Sequence, residues 1–137
     1  MTLLVSRDLG LSWKRQSLDT WAANQCPMST ATIVPSDRGA WLGWENAGRV
    51  RFAPWSVGEG MGKTIDLAGS GRKHPSVSLA ADGGVVFAWT TGTGWERGGT
   101  VGWARLGAEK AESTLPGVPV WGSVATYRAA DGVHVLY

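Results

Sequence analysis

Residues 6 to 13 read Ser6-Arg7-Asp8-Leu9-Gly10-Leu11-Ser12-Trp13, and this stretch decides how the chain is read. An apolar run (Leu3, Leu4, Val5) precedes it and a polar run (Lys14, Arg15, Gln16, Ser17) follows. The Asp8 side chain can accept backbone N–H groups further along the turn. Gly10 can take the positive φ that a tight connection needs, and Ser12 can bond back locally. Trp13 has the area to anchor the turn onto an apolar layer. The expectation is a strand–turn–strand corner that supplies its own polar partners, with Ser6, Asp8, Gly10, Ser12 and Trp13 in structural roles.

Beyond this corner, three segments line up with one another: residues 27–44, 75–89 and 121–137. Each holds a strand, a turn carrying Asp and Gly, and an apolar run that ends in an aromatic residue. Trp44 and Trp89 are 45 positions apart, and Trp89 and Tyr137 are 48 apart. With strands this short, that period matches one four-stranded blade of a β-propeller. The runs at 40–44, 85–89 and 133–137 are almost continuously apolar, which suits strands buried on both faces. Further strands are expected at 49–55 and 100–106, with weaker outer strands around 62–67 and 109–114. Residues 104–112 have some helical propensity, but Gly107 interrupts it and the repeat places strand there.

The totals agree with one globular domain. The chain has 137 residues, 43% hydrophobic and 18% charged, which is enough apolar material for a core and too little charge for disorder. Its 20 glycines follow no three-residue period and suggest many tight turns. The net charge is only +2, with acids and bases interspersed, so there is no electrostatic footprint for nucleic acid. Cys26 is the single cysteine, so no internal disulfide can form. No apolar run approaches the roughly 18 residues that cross a bilayer as a helix. The first residues lack the basic and long apolar regions of a signal peptide. A soluble chain is expected, without cofactor, nucleic-acid partner or membrane partner.

The pattern S-x-D-x-G-x-S-W at residues 6–13 resembles the Asp-box of the sialidase-like (BNR-repeat) β-propellers, where it joins the third and fourth strands of a blade. The resemblance implies an all-β fold of three blade equivalents, each of four antiparallel strands. Residues 1–20 would be the third and fourth strands of one blade, and 21–68 and 69–115 two complete blades. Residues 116–137 would be the first two strands of another. Propellers close with four to eight blades. The broken ends are therefore expected to be completed either by a second copy, as a six-bladed C2 homodimer, or by missing blades of a longer parent chain.

In that family the ligand face is built from the loops joining strands four to one and two to three, with the Asp-box turns on the opposite face. Mapped here, the four-to-one loops hold Trp21, Asn24, Gln25, Cys26 and Met28, then Arg72, Lys73 and His74, then Pro119 and Trp121. The two-to-three loops hold Glu45, Asn46 and Arg49, then residues 91–99 with Trp95, Glu96 and Arg97. The candidate ligand-binding residues are Trp21, Asn24, Glu45, Arg49, Arg72, His74, Trp95, Glu96, Arg97 and Trp121. Flat aromatic faces with Arg, Glu and Asn suit a sugar, and an Arg can clamp a carboxylate. The competing reading packs the loop tryptophans between blades and leaves Glu45, Arg49, Glu96 and Arg97 solvated. His74 precedes Pro75 and is expected to be extended, as a general base, a metal ligand, a hydroxyl binder or a structural residue. Cys26, Met28 and His74 have no recognised metal-ligand spacing, so no metal is expected. His134, inside an apolar run, is expected in the core.

Sialidases grip a carboxylate with three arginines and use a tyrosine nucleophile, its partner glutamate and an aspartate acid/base. The Arg-Ile-Pro type motif of an early blade has no counterpart here. The two tyrosines, Tyr127 and Tyr137, do not fall at a nucleophile position. Arg49, Arg97 and Arg128 do not align with the triad, and no catalytic residue is assigned. The function implied is recognition of a glycan or other polar ligand through the loop face. The alternatives are a sialidase-type exo-glycosidase active only as a complete ring, and a structural oligomerisation module without a small-molecule ligand.

Overall fold

The computed structural model of the chain describes residues 1–21, 30–94, 96–107, 113–120 and 122–137. Among these residues there is no helix, and every strand pairing is antiparallel. Four separate sheets follow one another along the chain, and none closes on itself among the described residues. The first sheet is the hairpin β1 (Thr2–Val5) and β2 (Lys14–Ser17). The second runs β3 (Ala31–Ser36), β4 (Gly39–Asn46) and β5 (Arg49–Ser56), with two short segments along β5, β6 (Gly60–Met61) and β7 (Ile65–Asp66). The third is β8 (Arg72–Leu79), β9 (Val85–Thr91), β10 (Gly99–Arg105) and β11 (Ser113–Val120), in that spatial order. The fourth is the hairpin β12 (Ala125–Ala129) and β13 (Gly132–Leu136).

Two of the three continuously apolar runs become β4 and β9, the second strands of the two larger sheets. Each is flanked by a strand on both edges and covered on both faces, so Trp44 and Trp89 are almost fully buried. The third run, 133–137, falls in and just after β13 of the two-stranded fourth sheet, where Leu136 and Tyr137 are 66% and 53% exposed, so it is not buried on both faces. The sheets stack face to face in chain order. Leu3, Met1 and Leu18 of the first pack on Ala40, Leu42, Trp44 and Ala53 of the second. On its other face the second sheet gives Val50 and Phe52 to Val77, Phe87 and Trp89 of the third, where Phe52 and Phe87 stack at 4.3 Å. The third meets the fourth through Ala88 and Val101 against Val124 and Val135. Apolar contact between successive sheets, removing area from water at about 25 cal/mol per Å², is the main force holding the stack.

Several expectations are corrected. The outer strand expected around 109–114 is β11, which runs to Val120, so the boundary at 115/116 cuts through a strand. Pro119 lies in that strand and not in a loop. Pro116 and Pro119 lack an N–H, yet β11 sits at the sheet edge, where prolines are tolerated, and the ladder is irregular between Gly99 and Val101. Trp13 is 59% exposed: its indole N–H donates to Gly10 O at 3.1 Å, so it folds over its own turn rather than anchoring it to a layer. His134 is not in the core. It lies on the outer face of the fourth sheet beside Tyr127 and bonds Asp131 at 2.7 Å.

Candidate functional site

The stack has two ends. One carries the turn at residues 6–13 and the turns around 37–38, 57–59 and 80–84. In the first of these, Asp8 accepts the Ser12 N–H at 2.8 Å, and Ser6 Oγ accepts the Gly10 N–H at 2.7 Å while donating to Asp8 at 2.8 Å. Gly10 has φ +92°, which a Cβ would disfavour. Arg7 reaches across to Val57 O, tying this turn to the second sheet.

At the other end, backbone bonds sew the turns of neighbouring sheets together. Arg72 N–H donates to Gly48 O and Gly92 N–H to Gly71 O, both at 2.9 Å. Here polar side chains are buried on both faces of the third sheet, Glu45 on the side of the second sheet and Thr90 on the side that carries Ala88 and Val101. Glu45, the penultimate residue of β4, shares a sheet face with the core residue Val50 and is 9% exposed. Thr90 of β9 and Thr93 are buried too, with their hydroxyls 3.1 Å apart. His74 joins these groups: its Nδ1 lies 2.9 Å from Thr90 Oγ1, and its backbone N–H donates to Glu45 Oε2 at 3.4 Å.

His74 is reached by an irregularity in the ladder. Lys73 pairs with Thr90 and Ser76 with Ala88, so His74 and Pro75 together stand opposite Trp89 alone. That is a bulge, and His74 adopts φ +53° instead of the extended conformation expected before proline. A non-glycine residue in the left-handed region is strained by about 1–2 kcal/mol. The ring bond to Thr90, the N–H bond to Glu45 and the tie from Arg72 to Gly48 hold it there against that cost. With Nδ1 engaged, Nε2 is the ring nitrogen without a hydrogen-bond partner among the described residues. Two residues earlier, the Arg72 guanidinium lies over the Trp89 ring, 4.7 Å from its centroid.

Of the candidate residues, then, Glu45 and His74 come together, with Arg72 beside them. Arg49 does not join them. It lies on the opposite face of the second sheet, 3.0 Å from Asp66, which also holds Arg51 at 3.2 Å. Arg97 turns back onto its own loop, its Nε donating to Gly92 O at 2.9 Å. Glu96 is exposed at φ +55° in the same tight loop. Trp21 is half-buried beyond Thr20. Asn24, Trp95 and Trp121 lie outside the described residues, as do Gln25, Cys26 and Met28. Solvation of Glu45, the competing reading, is not what the structure has; Arg49, Glu96 and Arg97 are exposed.

Sequence reasoning missed two features. Thr90 and Thr93 carry no signal beyond being polar residues at the end of an apolar run. The second feature is a cavity of about 560 Å³ at the end that carries the Asp8 turn, where Trp41, Trp55, Asp37, Arg38, Glu59 and Arg128 contribute to its walls. It arises between sheets, from turns far apart in the chain, so no local pattern announces it. The cavity and the His74 cluster lie at different ends. The cluster is the better guide to function, because burying hydrogen-bonding groups and straining a backbone both cost stability that an apolar packing would not.

No protein-family model matches the chain, and no curated protein or solved structure does.

Proposed function

We propose that the chain is a β-propeller segment of the sialidase-like, Asp-box type that recognises a glycan or another polar ligand at the end holding Glu45, Arg72 and His74. Support for the architecture comes from the self-bonded turn at residues 6–13 and from sheets that stack in chain order, the two larger ones each built from four successive strand positions. In this reading β1–β2 and β12–β13 are half-blades, completed by a second copy or by further blades of a longer chain.

One observation carries the ligand assignment. His74 is held in a strained conformation by a buried hydroxyl and a buried carboxylate, with Nε2 left without a hydrogen-bond partner among the described residues. A sugar hydroxyl can both accept from and donate to such a nitrogen, and Arg72 adds a cation suited to an anionic sugar. Binding without turnover is the better-supported activity. Glu45 meets the His74 backbone rather than its ring, so the pair lacks the geometry by which a carboxylate orients a general base.

The test is an immobilised array of sialylated and neutral oligosaccharides, probed with the wild-type chain and with His74→Ala. Retention by the wild type and its loss in the variant are expected. Equal retention by both, or none by either, contradicts the assignment. Release of the terminal sugar from the array would make the glycosidase the correct alternative.

A further inference from the structure

We propose that two copies of this chain associate through a two-fold exchange in which β13 of each lies antiparallel beside β1 of the other, forming a four-stranded antiparallel sheet β12-β13-β1-β2 with two strands from each copy. This deepens the partner side of the reading above, and it stands on which halves of the sheets are left bare.

The first sheet covers only part of the second. Its Leu3 and Met1 sit on β4 and β5, and its Gln16 accepts the Trp55 indole N–H at 3.2 Å. On that same face β3 continues the surface with Ala31, Ile33 and Pro35, the partners of Trp44, Leu42 and Ala40, and all three are exposed. Ile33 is 62% exposed although it is paired with a buried leucine. The fourth sheet covers the complementary part of the third. Thr126 bonds Ser76 of β8, and Val135 packs on Ala88 and Val101. Further along that face Trp103 of β10 is left 39% exposed.

The two small sheets therefore cover opposite halves of the faces they meet, and each has one bare face of its own. Leu4 stands on the outer face of β1, 55% exposed. Tyr127 and Leu136 stand on the outer face of the fourth sheet, 51% and 66% exposed. Joining β13 to β1 of a second copy brings these surfaces into register. The fourth sheet of one copy then continues the first sheet of the other across β3, setting Tyr127 and Leu136 over Ile33 and Pro35. Leu4 of the second copy meets the Trp103 side of the third sheet. Both contacts extend interfaces that each copy already makes. The edges of β1 and β13 that are unpaired among the described residues also find hydrogen-bonding mates. The operation is two-fold, so both seams form at once and no further copy can add.

Light scattering on the chain as it elutes from a sizing column tests this. The expected mass is twice 14.5 kDa. Ile33→Asp and Leu136→Asp each replace a side chain that is mostly exposed in the isolated copy and so place a charge on a bare surface. Each is expected to raise the dimer dissociation constant at least tenfold, while far-ultraviolet circular dichroism stays unchanged. Leu9→Ser, in an exposed turn away from both seams, is expected to leave the mass alone. A wild-type mass of 14.5 kDa at all concentrations, a series of larger open assemblies, or a dimer indifferent to both charged variants would each overturn the proposal. Mass reads the pairing alone and array retention reads the ligand end alone, so either idea can fail without obscuring the other.

Discussion

The Asp8 carboxylate takes both hydrogen bonds that Ser12 offers, the backbone N–H at 2.8 Å and the hydroxyl at 2.5 Å. The Ser12 hydroxyl, the Ser12 N–H and the Ser6 hydroxyl together stabilise the ionised form and lower the Asp8 pKa from 3.8 to about 2. A carboxyl whose pKa falls on folding contributes stability above its unfolded pKa and loses it as pH drops through the folded value. The gap in melting temperature between the wild type and Asp8→Asn should be full above pH 3.8 and close as pH approaches 2. Thermal denaturation across that window checks it, and a gap independent of pH would contradict it.

Asp19 ties the first sheet to the second. It accepts the Trp44 indole N–H at 3.0 Å and Arg51 Nη1 at 2.5 Å, while its carbonyl accepts the terminal ammonium of Met1 at 2.7 Å. Partial burial pushes its carboxyl up, but the bonds from Trp44 and Asn46, the Arg51 charge and the Thr20 N–H outweigh that and hold it below its usual value. Asp19→Ala leaves the Trp44 and Arg51 donors without this acceptor and should cost about 2 kcal/mol in urea unfolding. A change within error would show that the tie contributes nothing.

The third sheet depends on glycine at a close approach. A Cβ on Gly102 would lie 2.5 Å from the Trp89 indole, which is itself buried. Gly102→Ala must displace that ring or spread β9 from β10, and overpacking of this kind costs about 1–3 kcal/mol. The urea midpoint of the variant should fall accordingly; an unchanged midpoint would mean that Trp89 has room to move.

At His74 the usual order of alanine and glycine should reverse. In ordinary strand positions glycine is the less stable of the two. With φ +53°, alanine keeps the strain that glycine relieves. His74→Gly is therefore expected to be more stable than His74→Ala by about 1 kcal/mol. The opposite order in denaturant titrations would show that the backbone does not hold this conformation in solution.

The parts of the fold that could be read in the sequence are those set by local chemistry. Asp8, Gly10 and Ser12 make their bonds within one turn, and the apolar runs at 40–44 and 85–89 mark β4 and β9 because burial on both faces forbids alternation. What could not be read depends on register and stacking. The Arg49–Asp66 pair needs β7 to lie along β5. The conformation of His74 follows from a bulge that only the pairing of β8 with β9 creates, and there a tertiary demand overrides the preference of a residue before proline. Glu45 reads as a loop residue, yet β4 runs on to Asn46 and carries it under the third sheet.

The most direct test of a polar ligand site at the His74 end is the imidazole nitrogen spectrum of the isotope-labelled chain titrated with sialyllactose and with lactose. The ring nitrogen signals of His74 should shift with at least one of the two sugars, together with backbone amides of residues 45–48 and 71–74. No shift at His74, or shifts confined to residues around Trp41, Trp55 and Arg128 at the opposite end, would contradict the account.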